Sequence, residues 1–196
     1  MCQSVSSEAG AGGASEAVSN TVASAVSDAV ASAVSDAVRL LTGADIPREQ
    51  LASLTPERRR LFVRIAPKFT EIAPVWRVGC LLIAADGRVW ATAKTTRAAK
   101  RERLGIQSVD QELRRDLAGF AFKSGFAQGT QVNYDAPLLF DPAQQPALQV
   151  PSGEPSRLVI VDGTVRVLWN PSAAAATAPQ LKDYLRERIE LITEFK

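Results

Sequence analysis

The stretch that most constrains the fold is VWRVGCLLIAADGRVWATAKT, from Val75 to Thr95. Asp86-Gly87 between two apolar runs is the signature of a tight hairpin, and a type I′ turn asks for positive φ at both central residues. Cys80-Leu81-Leu82-Ile83 is apolar at every position, the pattern of a strand covered on both faces. The next run alternates, with Val89, Ala91 and Ala93 set against Arg88, Thr92 and Lys94. That pattern predicts a strand with one face towards solvent.

Upstream, residues 1–16 are mostly Ser, Ala, Gly and Glu, a composition that predicts disorder. From Val18 onwards a valine recurs every fourth residue to Val38, and ASAVSDAV occurs twice. On a helix of 3.6 residues per turn, a spacing of four drifts by about 40° per step. The valines are therefore expected to wind round the helix, and residues 1–38 read as a low-complexity tail, disordered or weakly helical. The alternative is a helix that docks or self-associates. The domain is placed at residues 39–196.

Two helix starts follow, at Ile46-Pro47-Arg48-Glu49 and Thr55-Pro56-Glu57, each with Pro at a first helical position. On the second, Leu61, Phe62, Ile65 and Phe69 form an apolar side, with Arg60, Arg64 and Lys68 as a basic strip beside it. Pro67 is expected to kink or end it. A further helix begins at Ser108, near a capping box with Gln111 and Glu112, and carries Leu113, Leu117, Phe120 and Ala121. Gly125 closes it. Strands are expected around 131–133 and 136–140, then a proline-rich loop over 141–156. A second Asp-Gly hairpin spans 157–169, and a final helix carries Leu181, Leu185, Ile189 and Ile192, with Tyr184 and Phe195 alongside. The sum is an α+β fold: a small, mostly antiparallel sheet built from two Asp-Gly hairpins plus one or two further strands, flanked by three or four helices.

Composition removes several chemistries. The 196-residue chain contains no histidine, so Ser-His-Asp and Cys-His machinery and histidine metal ligation are excluded. Cys2 and Cys80 lie far apart and give neither a disulfide framework nor a zinc ligand set. No metal or organic cofactor is expected. The chain shows no basic, apolar leader at its start and no apolar run near the ~20 residues that cross a bilayer, so a cytoplasmic protein without a membrane partner is expected. Net charge is +2 overall. Residues 1–38 hold four acidic and no basic residues, which leaves the remainder at +6. That excess is too small by itself to imply nucleic acid.

Candidate sites are few. Cys80 is the one cysteine inside the domain, and its apolar surroundings favour a buried structural thiol over a nucleophile. Arg97, Lys100, Arg101 and Arg103, with Arg114, Arg115 and Lys123, offer an anion site next to Ser108 at a helix start. Aromatic residues do not interleave with these charges, which argues against a single-stranded nucleic-acid surface. Gly125-Phe126-Ala127-Gln128-Gly129 with Asn133-Tyr134-Asp135 forms a polar, glycine-rich cluster suited to a ligand, or simply to a helix stop and turn. Asp110, Glu112, Asp135 and Asp162 are carboxylates available for acid–base work if any two converge.

The pieces VWRVGCLLIAADGRVWAT, TTRAAKRERLGIQS, ELRRDLAGFAFKSGF and GTQVNYDAPLLF resemble a group of short actinobacterial proteins, some of which carry a glutaminase label. The resemblance covers about residues 39–196. It points to Arg97-Ala98, Gln107-Ser108, Arg114-Arg115, Gly125-Phe126 and Val132-Asn133 with Asp135. It implies a shared fold and, through the label, amide hydrolysis, for which Cys80, Ser108 and Asp135 are the weak catalytic candidates. Serine-type glutaminases are longer and use Ser-x-x-Lys, and here no serine stands three positions before a lysine. The amidotransferase type pairs Cys with His. The expectation is therefore a non-catalytic module binding an anionic small molecule or a protein partner, through Arg97, Arg101, Ser108, Arg114, Gly125, Asn133 and Asp135. Amide hydrolysis is the alternative, and weak nucleic-acid association ranks third.

Overall fold

A computed structural model describes residues 12–60, 63–101, 108–144, 148, 156–170 and 172–195. Residues 1–11 of the tail, Leu61, Phe62, Arg103, Gln107 and most of the proline-rich 141–156 loop lie outside the described residues. Within them the fold is α+β, with three α-helices and a mostly antiparallel sheet.

The strands are β1 (Glu49–Thr55), β2 (Arg58–Arg60), β3 (Val63–Ile65), β4 (Lys68–Val78), β5 (Leu81–Ala84), β6 (Val89–Ala91), β7 (Lys94–Arg97), β8 (Gln131–Tyr134), β9 (Leu138–Phe140), β10 (Leu158–Val161) and β11 (Thr164–Val167). The helices are α1 (Gly12–Gly43), α2 (Val109–Lys123) and α3 (Leu181–Glu194). Seven strands pair in the order β7-β8-β1-β4-β5-β6-β9. Only β1 and β8 run parallel.

This sheet closes on itself. Thr92 and Ala93 alone separate β6 from β7, and residues 135–137 separate β8 from β9. In a flat sheet with strands ~4.8 Å apart, β6 and β7 would lie about 24 Å apart. A two-residue link at roughly 3.5 Å per residue does not reach that far. The register shows the solution. Trp90 pairs with Leu138, Lys94 with Tyr134 and Arg97 with Gln131, all in one continuous frame. Between the two ladders the Ala91 N–H donates to the Pro137 carbonyl at 3.0 Å. Thus β6–β7 is one long bent strand and β8–β9 another, paired along their length. With β1, β4 and β5 they make a barrel of five staves, each hydrogen-bonded on both sides.

Alternation then sorts the apolar residues. Leu51, Ala73, Val75, Leu82, Ala84 and Trp90 fill the interior. The outer face of β4, β5 and β6 carries Trp76, Val78, Leu81, Ile83, Val89 and Ala91, packed under α1, α3 and the β10–β11 hairpin. The outer face of β1 and β8 carries Ala52, Val132 and Tyr134, packed under α2 through Ala121, with Leu117 and Phe120 against it. Phe69 meets Tyr134 edge-on at 5.3 Å.

Several expectations change. All of Leu81–Ala84 is buried, as the unbroken apolar run implies, but Val89-Trp90-Ala91 is buried too. Barrel closure puts Trp90 inside, so β6 has no solvent face. The Asp86-Gly87 turn has positive φ at Gly87 (86°) but not at Asp86. The Gly87 N–H reaches back to Ala84 O, and the Ala84 N–H to Arg88 O. This is a type I turn with a glycine bulge rather than I′. The second hairpin does carry positive φ at both Asp162 (50°) and Gly163 (71°). It forms its own two-stranded sheet beside the barrel rather than joining it.

The helix expected from Thr55 is absent. β1 and β4 pair as a hairpin, with Thr55 opposite Lys68, and the same frame resumes with Arg58 opposite Ile65 and Arg59 opposite Arg64. In the gap, Pro56 faces Pro67 across the ladder. Proline has no N–H to donate, so two opposed prolines interrupt the ladder without ending the hairpin. The helical spacing of Ile65 and Phe69 therefore has no helix beneath it: Phe69 is buried under α2, while Ile65 is 47% exposed.

The boundary at residue 38 also falls. α1 runs unbroken through it, and Val26, Val30, Ala33, Val34, Ala37 and Leu41 are buried against α3, β5 and β11. The valine drift is real, but from Val26 to Val34 it accumulates only about 80°, inside the apolar arc of an ordinary docked helix. Val22 falls on the exposed side and Val38 at the margin, where Ala37 and Leu41 take over. From Val26 onwards, the segment read as a tail is a wall of the core.

Candidate functional site

The candidate residues do not converge. Cys80 lies not in a strand but in the two-residue turn between β4 and β5, where Val78 pairs with Leu81. Gly79 takes the first central position at φ 59°, as a II′ turn requires. The Tyr184 hydroxyl of α3 accepts from the Cys80 N–H at 2.9 Å and donates to its Sγ at 3.3 Å. The Cys80 carbonyl accepts from the Thr92 N–H. Burial, reinforced by the bond to Cys80, pushes the Tyr184 phenol up to about 12. The phenol therefore stays protonated and does not serve as a base for the thiol. This arrangement locks a turn against a helix.

Asn133 is fully buried, and its partners were not visible in the sequence. Its Nδ2 donates to Glu49 Oε2 at 2.7 Å and to Gln50 O at 3.1 Å, and its Oδ1 accepts from the Arg77 guanidinium. Arg77 Nε lies 3.2 Å from Glu49. Alternation places Glu49, Arg77 and Asn133 on the barrel's inner side, at the end where β1 begins and β4 finishes. Together they plug that mouth with paired charges. Glu49 was missed because its stretch read as a helix start, and Arg77 because it sits within an apolar run. Asn133 belongs to this plug and not to a ligand set.

The neighbouring candidates are spent or scattered. Asp135 adopts φ 55° just after β8 and binds Lys94 at 2.9 Å. Ser108 caps the N-terminus of α2 by position, is exposed, and makes no side-chain capping bond. Arg101 pairs with Asp116 at 3.0 Å and approaches Glu112 at 3.7 Å, so this one linker charge is met by carboxylates of α2. Arg97 and Arg114 are exposed, on β7 and α2. Gly125 closes α2 at φ 103°, but as a helix stop with open space around it. Leu113, expected on the apolar side of α2, is 58% exposed.

Among the described residues, no three His, Cys, Asp or Glu side chains gather as a metal site. A cleft of about 190 Å³ between α1 and the β5–β6 turn, and one of about 160 Å³ between α1 and α3, both fall below the roughly 300–1,000 Å³ of usual small-molecule sites. No helix of the described residues is long and apolar enough to cross a membrane.

What remains is the β2–β3 ribbon. Beyond Thr55 and Lys68 the hairpin continues for about five residues, or roughly 17 Å, past the barrel. Arg58, Arg59, Arg64 and Lys68 are all exposed on it. Of these, only Arg64 has a carboxylate partner among the described residues, Glu57 at 3.0 Å. Arg59 faces Arg64 directly across the ladder. Like charges opposed in this way destabilise a strand pair. Lys123 stands beside this base, because the next residue, Ser124, accepts through Oγ from the Phe69 N–H at 3.0 Å. The sequence did show Arg64 and Lys68, together with Arg60, but their four-residue spacing placed them on a helix face. Compared with known proteins, the chain matches no protein-family model, no curated protein and no solved structure.

Proposed function

We propose that this protein is a non-catalytic binding module and that it takes an anionic partner on the β2–β3 ribbon. The observation that carries the reading is the cross-strand Arg59–Arg64 pair on a thin, exposed ribbon. A two-stranded ribbon is marginal by itself, and opposed arginines weaken it further. An anion seated between them reverses the sign of that interaction and stabilises the ribbon. Residues 57–68 hold five basic side chains against one acidic. Most of the positive excess of residues 39–196 is thus concentrated on one projection.

The test is retention of the full chain on a phosphate-bearing cation exchanger. Against wild type, Arg59→Glu/Arg64→Glu is expected to elute at markedly lower salt, while Arg97→Glu/Lys100→Glu, with the same charge change, shifts it less. Equal shifts in the two variants would mean that only net charge matters. Amide hydrolysis is checked in the same preparation by ammonia release from glutamine, with Cys80→Ala, Ser108→Ala and Asp135→Asn alongside. No release above the blank is expected. Turnover lost in one folded variant would overturn the binding-module reading.

A further inference from the structure

Resting on that reading, we infer that the anion is a phosphomonoester, held as its dianion between Arg59 and Arg64. Directly paired residues of an antiparallel ribbon share a face, with Cβ atoms about 4.5–5.5 Å apart. Arg59 and Arg64 are such a pair, so their side chains leave one face of the ribbon together, and Arg58 and Ile65 take the other. Glu57 meets Arg64 at Nε, 3.0 Å away, which leaves the terminal guanidinium nitrogens of Arg64 to a ligand. Arg59 has no carboxylate partner among the described residues, so its whole fork is open.

Charge and oxygen count select the ligand. Two guanidinium groups bring two permanent charges and more donors than a carboxylate can accept, since a carboxylate offers one charge and two oxygens. An internal phosphodiester also carries one charge, and would leave one arginine uncompensated. A phosphomonoester brings close to two charges and three strong acceptor oxygens at pH 7. Each planar fork then takes oxygens in pairs, a geometry that lysine does not offer.

The openness of the ribbon sets the rest. Both arginines are exposed on a projection rather than within a cavity, so the ester substituent stays in solvent and its size is not selected. The other charged side chains described on the ribbon are Glu57, Arg58 and Lys68, and α2 brings Lys123 to its base. The chain has no histidine, the side chain that ordinarily titrates between pH 5 and 8, and arginine keeps its charge throughout. The pH dependence of binding therefore belongs to the ligand, whose second ionisation lies at about pH 6.

The experiment follows the backbone amide NMR signals of Arg58, Arg59, Arg64 and Ile65 in the full chain as phenyl phosphate is added at constant ionic strength. These signals are expected to shift together at about pH 7, and at about pH 5 the Kd is expected to rise about tenfold as the dianion is lost. Sulfate, doubly charged at both, is expected to show no such loss. Dimethyl phosphate and acetate, each singly charged, are expected to bind markedly more weakly. Arg59→Ala is expected to raise the Kd for phenyl phosphate about tenfold. Arg59→Lys, which keeps the charge and loses the fork, is expected to fall between. Arg97→Ala is expected to leave it unchanged. Dimethyl phosphate or acetate matching phenyl phosphate, with the shifts still on the ribbon, overturns the monoester inference while anion binding at the ribbon stands. A Kd indifferent to pH does the same, as does binding of inorganic phosphate without phenyl phosphate, the mark of a site for the free ion. If no anion, inorganic polyphosphate included, moves the ribbon signals, both readings fall.

Discussion

A chain beginning at Arg39 is expected to show no cooperative unfolding transition. The deletion removes Val26, Val30, Ala33, Val34 and Ala37, each at most 8% exposed, from the layer that covers the barrel's outer face. Burying one valine contributes roughly 1.5 kcal/mol or more. Three valines and two alanines together approach the 5–15 kcal/mol that separates most folded domains from their unfolded chains. The loss does not end there. Leu81 and Ile83 on β5, and Leu185 and Ile189 on α3, would lose the helix that packs against those elements. Circular dichroism melts of the full and shortened chains decide the matter. A shortened chain melting within a few degrees of the full one would return residues 1–38 to the status of a tail.

The second large effect is at Gly79. Replacement by alanine is expected to cost about 2–5 kcal/mol in urea unfolding, from two sources. The residue sits at φ 59°, where an L side chain costs roughly 1–2 kcal/mol. Its new Cβ would also lie 2.1 Å from the Tyr184 hydroxyl oxygen, which is buried and hydrogen-bonded to the next residue. Overpacking of that kind adds about 1–3 kcal/mol. The two sources separate in a double-mutant cycle. In a Tyr184→Phe background the 2.1 Å clash is gone and only the ring Cζ at 3.0 Å remains, so Gly79→Ala is expected to cost less, approaching the backbone part of about 1–2 kcal/mol. An equal cost in both backgrounds would show that Tyr184 does not hold this turn.

The sequence made the barrel's centre legible and its edges not. Leu81–Ala84 reads as a doubly covered strand because full burial leaves an unbroken apolar run. The helices at Ser108 and Pro179 read correctly because caps and periodic apolar residues are local signals. Closure is not local. It depends on β6 continuing into β7 and β8 into β9, which makes an interior residue of Trp90 and places Glu49, Arg77 and Asn133 in one mouth. These three residues are far apart in sequence, and nothing in their own neighbourhoods announces the pairing.

The segment from Ile46 to Phe69 misled for a different reason. Proline at a first helical position and proline breaking a hairpin ladder share one property, a missing N–H, and the sequence around Pro56 and Pro67 satisfies either use. Tertiary pairing of Glu49–Thr55 with both β4 and β8 decided it. That one misreading also hid the candidate site. As a helix, Arg60, Arg64 and Lys68 form a solvated strip, whereas as a hairpin the basic side chains sit on a thin arm with arginine facing arginine. The same folding neutralises Arg101 and commits Asn133 to the barrel. The surface proposed for an anion is accordingly the ribbon rather than the linker.

The most direct measurement is amide hydrogen exchange of the full chain, with and without saturating inorganic polyphosphate, read at peptides covering 56–68 and 94–101. The ribbon as the anion-binding surface predicts slowed exchange over 56–68, with 94–101 unchanged. Slowed exchange over 94–101, with the ribbon unaffected, would contradict it.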